Sequence, residues 1–68
     1  MHTITATTYF GETTTESVIN YESAVKTFYA FISCSDCKEC VMIDGLTGVV
    51  EFQWVKGKFL VLDEVVLH

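Results

Sequence analysis

The sequence predicts an α+β domain: one helix packed on an antiparallel sheet of three to five strands, in β(β)αβββ order. Three observations carry that class. The first residues alternate at period two, the middle spaces its apolar residues by three and four, and the later part alternates again around a glycine-centred hairpin. At 68 residues the chain makes one domain, 1–68. A domain of that size buries only about 60% of the surface its unfolded chain exposes, so its core is thin and some extra brace is expected. The composition, 50% apolar and 13% aromatic with 19% charged, is that of a folded protein.

The elements follow in order. From His2 to Phe10, Ile4, Ala6, Thr8 and Phe10 share one face, and Thr3, Thr5, Thr7 and Tyr9 share the other. That is a half-buried strand, with His2 on the inward parity. Seven of the first fifteen residues are threonine, which suits a pleated surface. Gly11-Glu12 makes a turn. Thr13 to Ile19 reads either as a return strand or as a lead into the helix, and both readings stay open.

Asn20 is a good N-cap, because its side-chain oxygen can accept a hydrogen bond from an early backbone N–H. Glu22 then sits where the helix dipole favours negative charge. Tyr21, Ala24, Val25, Phe28, Phe31 and Ile32 form one apolar stripe, which places a helix at Tyr21 to Ser33. Val41-Met42-Ile43 is a short apolar run, followed by the turn Asp44 to Gly48. Val50, Phe52 and Trp54 alternate with Glu51 and Gln53. Gly57, between Lys56 and Lys58, makes a hairpin. Phe59 to Leu62 is the next strand, and Val65 to Leu67 extends it after Asp63-Glu64.

Charge narrows the function. Nine acidic side chains against four lysines and no arginine leave a net charge of −5. Nucleic-acid binding requires basic side chains that displace counterions from phosphates, so direct binding to DNA or RNA is not expected. An acidic surface suits a basic partner, including a protein that handles nucleic acid. Met1 to Phe10 has neither the basic nor the apolar block of a signal peptide, and no apolar run reaches the ~18 residues of a membrane span. The cytosol is the expected location, with reduced cysteines.

Cys34, Cys37 and Cys40 form a C-x-x-C-x-x-C run after the helix, interleaved with Ser35, Asp36, Lys38 and Glu39. Thiolates delivered by a polar turn are soft ligands that converge on zinc, so the turn 34–40 predicts a structural zinc site. The competing reading is three small buried apolar side chains, which the interleaved charges argue against. An iron–sulfur cluster needs a fourth cysteine. A redox pair would sit at a helix N-terminus and not after a C-terminus. The fourth zinc ligand depends on the open stretch. His2 is the favoured ligand, because imidazole is the more usual partner for three thiolates and its parity points inward; a first strand that passes straight into the helix puts it beside the cysteines. If Thr13 to Ile19 returns as a strand, His2 lies at the far end, and Asp36 or an external group serves instead. His68 depends on where the last strand stops.

No catalytic constellation is visible. Asp63 and Glu64 are adjacent and point to opposite faces of a strand, and Gly45 to Gly48 lacks the lysine of a phosphate-cradling loop. A binding protein is expected instead, with Glu51, Asp63 and Glu64 around the apolar anchor Trp54, as a monomer or homodimer.

The Thr3–Phe10 strand, Tyr21–Ser33 helix and Val50–Leu62 hairpin, in a tiny acidic chain, resemble in layout the small phage-encoded anti-defence proteins, in particular the anti-CRISPR inhibitors. A few of those that act on type II systems are metalloproteins, to which the Cys34-Cys37-Cys40 turn is similar in kind. The resemblance implies binding to a CRISPR effector nuclease and blocking its DNA loading or use. It fixes no individual residue. The alternative is a zinc-stabilised accessory or regulatory domain that binds proteins of its own host.

Overall fold

The computed structural model describes residues 1–61. Its elements are β1 (His2–Thr8), β2 (Thr13–Val18), α1 (Tyr21–Ile32), β3 (Cys37–Asp44), β4 (Val50–Val55) and β5 (Lys58–Val61). The strands form one antiparallel sheet in the order β2-β1-β3-β4-β5. The helix packs on one face of it, so the α+β expectation stands with five strands. The open stretch after Gly11 is settled as a return strand: β2 pairs β1 from Thr7↔Thr13 to His2↔Val18. His68 and the anticipated continuation at Val65 to Leu67 lie outside the described residues, as does Leu62, the last residue of the expected Phe59–Leu62 strand.

The first strand is shorter than the alternation predicts. It ends at Thr8, whose Oγ1 accepts hydrogen bonds from the backbone N–H of Phe10 and Glu12 at 3.2 Å each. That side chain turns the backbone before Phe10 can continue inward, and Phe10 is 80% exposed. The helix starts as the sequence predicts. Asn20 Oδ1 accepts from the Ser23 N–H at 3.1 Å, Ala24 and Phe28 are buried, and Ser33 closes the end as the C-cap.

The core is one cluster between helix and sheet: Ile4, Ala6, Ala24, Phe28, Cys37, Cys40, Met42 and Phe52. Phe28 is its centre, with its ring 5.3 Å from Phe52 and 6.1 Å from the stacked ring of Phe59. Such pairs add about 0.5–1.5 kcal/mol beyond simple burial, which matters in so thin a core. The sheet is tied off by local turns. Asp44 Oδ1 accepts from Leu46 N–H at 2.8 Å and the Gly48 N–H donates to Asp44 O at 2.8 Å, closing the β3–β4 loop. Lys56 (φ 48°) and Gly57 (φ 88°) both take the left-handed conformation that a two-residue hairpin needs. No helix among the described residues is long and apolar enough to cross a membrane.

Candidate functional site

The cysteine segment differs from the polar turn expected at 34–40. After α1, the Cys34 N–H donates to Phe31 O and the Cys37 N–H donates to Cys34 O, both at 3.1 Å. Only Cys34 to Asp36 therefore form the turn, and β3 begins at Cys37. Cys37 and Cys40 are buried, Cys40 to 1%, while Cys34 is exposed. Two residues three apart in a strand ordinarily face opposite ways. Here a bulge intervenes: Thr7 pairs with Glu39 and Thr8 with Cys37, leaving Lys38 as the extra residue. The bulge resets the alternation, so both thiols face the core. The small-apolar reading of Cys37 and Cys40, set aside on the polarity of their neighbours, therefore describes these two side chains.

Their chemistry follows from that placement. The Cys37 Sγ donates to Glu39 O at 3.6 Å, and the exposed Cys34 Sγ donates back to Ala30 O at 3.8 Å. Burial pushes the Cys40 thiol up to about 12, with the nearby Cys37 adding to it. Cys37 is raised as well, first by burial, then by its neighbours Cys34 and Asp36. Both shifts favour the protonated thiol, the opposite of an activated nucleophile. Among the described residues no group of three or more His, Cys, Asp and Glu side chains is placed to hold a metal ion.

His2, the favoured fourth ligand, is corrected by the same register. It pairs with Asp44 on β3, whereas Cys40 pairs with Ala6 and Cys37 with Thr8. It therefore stands ~13 Å from the level of Cys40 along the strand, and ~20 Å from that of Cys37. The return strand β2 is the cause, since it carries the chain back before the helix starts. Asp36 stays at the cysteine end, where its carbonyl accepts from Tyr9 N–H at 3.0 Å.

His2 has a different partner. Its Nδ1 donates to Glu51 Oε1 at 2.6 Å, with the two side chains 13% and 12% exposed, and its ring meets that of Tyr21 edge-on at 5.3 Å. Alternation with Val50 and Phe52 predicts Glu51 on the surface. A second bulge overrides that: Met42 pairs with Phe52 and Ile43 with Val50, so Glu51 is the extra residue. Glu51 is thus engaged within the fold and is not a free acidic contact. Trp54 is half-buried against the core opposite Cys40, and so is less open than an anchor should be. Asp63 and Glu64 lie outside the described residues. Sequence reasoning missed the His2–Glu51 pair because nothing local signals a bulge.

What the fold does expose is acidic and apolar. Glu12, Glu16, Glu22, Asp36 and Glu39 are all exposed. So are the large apolar side chains of Phe10, Ile19, Leu46 and Leu60. The sheet face away from the helix carries Thr3, Thr5 and Thr7 beside Ser17, Thr15 and Thr13, with Thr5 and Thr15 hydroxyls 3.3 Å apart. A depression of about 160 Å³ opens there, lined by Thr5, Thr7, Glu39, Cys40, Val41 and Gln53. That is smaller than the ~300–1,000 Å³ of typical small-molecule sites. The chain matches no protein-family model, no curated protein and no solved structure.

Proposed function

We propose that this chain is a non-catalytic, protein-binding inhibitor that acts in the cytosol on a basic, nucleic-acid-handling partner. The observation that carries the reading is that the fold exposes the acids Glu12, Glu16, Glu22, Asp36 and Glu39 and also the apolar side chains Phe10, Ile19, Leu46 and Leu60. Charge steers a basic partner, and apolar side chains supply the contact energy. The layout-level resemblance to anti-CRISPR proteins makes a type II CRISPR effector nuclease the first partner to test. Pull-down with such an effector, with and without DNA, is the experiment. Binding that DNA loading weakens is the expected result; no binding by any effector tested favours an accessory domain of the host.

Structural zinc at Cys34, Cys37 and Cys40 is a second proposal, favoured by the turn that brings Cys34 and Cys37 together. It requires the start of β3 to open so that the two buried sulfurs reach the ion, with a fourth ligand other than His2. Metal analysis of protein purified without chelator decides it: one zinc per chain supports the staple, and metal-free protein that stays folded removes it.

A further inference from the structure

Edge strands of natural sheets are usually blunted by a bulge, a lysine, a proline or a covering segment. The edge at β5 follows that practice. It carries Lys58 and has a bulge at Leu60, since Gln53 pairs with Val61 and Trp54 with Phe59. The edge at β2 has no bulge, lysine or proline, and no strand among the described residues covers it; its one charge is Glu16, opposite Ile4 on the helix side of the sheet. Its pairing to β1 runs without a register shift, whereas each of the other three strand pairs contains one. Its sequence is TTTESV, β-branched at four of its six positions, with no proline and no lysine. No strand among the described residues lies outside it, and all of it but Val18 is exposed.

We propose that the outer edge of β2 takes up an extended, basic segment of the partner as a sixth strand. The proposal rests on the basic-partner reading above and says how that partner docks. Strand addition supplies main-chain hydrogen bonds from a ready-made template, and side chains of the added strand decide which segment fits. Here Glu16 in the strand and Glu12 just before it set that preference. The four lysines of the chain are Lys26, Lys38, Lys56 and Lys58, none of them on this edge, and Lys26 is held by Glu22 at 3.8 Å. A second copy of the chain is the poorer occupant. Pairing β2 with β2 brings two acidic edges together, and like charges across an antiparallel pair destabilise it.

The test uses the whole chain and two probes: a short acetylated peptide alternating lysine and valine, and the same peptide N-methylated throughout its central residues. N-methylation keeps the charge and removes the backbone donors. At low salt the first peptide is expected to bind and to protect β2 amides from hydrogen exchange. N-methylation is expected to weaken it about tenfold, the effect of losing one or two backbone hydrogen bonds. Glu16→Lys is expected to weaken it as well, while leaving the exchange pattern of β1, β3 and β4 unchanged. Equal binding by both peptides, or protection that falls elsewhere than on β2, overturns strand addition and leaves the basic-partner reading standing. Failure of the peptides and of basic proteins to bind at any site removes both. A dimer in sedimentation, with β2 protected in the absence of peptide, replaces the basic strand with a second copy.

Discussion

Cys40 lies opposite Ala6 on β1 and Trp54 on β4, and its surroundings leave the thiolate no solvent. The folded-state pKa is about 12 against an ordinary 9.0. For a thiol whose folded pKa is raised, the unfolded chain ionises first as pH climbs, so stability is complete below 9 and is lost progressively between 9 and 12. Denaturation monitored by the circular dichroism of the helix should show that alkaline loss, and Cys40→Ala should flatten it. A profile equally steep in the variant places the titrating group elsewhere. His2 and Glu51 give a second prediction. Each is mostly buried and each satisfies the other, so His2→Ala leaves a carboxylate without its donor and should cost about 1–3 kcal/mol of stability. The same variant should leave any bound metal unchanged. Loss of zinc in His2→Ala would show that the histidine reaches the cysteines after all.

Turns and bulges decide more than propensity does at the level of elements. The β4–β5 hairpin depends on Gly57 at φ 88°, where an L side chain is strained although an added Cβ would meet no atom. Gly57→Ala should therefore destabilise by ~1 kcal/mol through backbone conformation alone, seen as a lower melting temperature with the contacts of Phe59 intact. The helix is the element most legible in the sequence, because Asn20, Glu22 and the stripe from Tyr21 to Ile32 are all local signals. Strand presence was equally plain for β1 and β4. The orientation of Cys37, Cys40 and Glu51 was not, since one extra residue in a strand reverses everything beyond it. The bulges at Lys38 and Glu51 exist because neighbouring strands pair across them, and no window of sequence contains that information.

Over the whole molecule, the exposed acids are spread over β2, its preceding turn, the helix start and the cysteine end, while Lys56 and Lys58 gather at the β4–β5 hairpin. Binding to a basic partner should accordingly weaken as salt rises, and reversing Glu12, Glu16 and Glu39 together should lower the association rate more than it raises dissociation. Binding unaffected by both salt and reversal would shift the weight to the apolar side chains Phe10, Ile19, Leu46 and Leu60. Glu51→Lys, by contrast, is expected to unsettle the fold, because the carboxylate it removes is held by His2.

Composition and periodicity alone determined the class of this protein: a small acidic α+β domain, one capped helix, strands at both ends, and cysteines clustered after the helix. These are properties of neighbours in the chain, and short-range chemistry expresses them. Tertiary pairing decided where the donors went. Because β2 returns along β1 before the helix begins, His2 is carried to the opposite end from the sulfurs, and the two bulges then turn two thiols and a carboxylate toward the interior. Long-range hydrogen-bond register sets such positions, and it is a property of pairs of strands and not of either strand by itself.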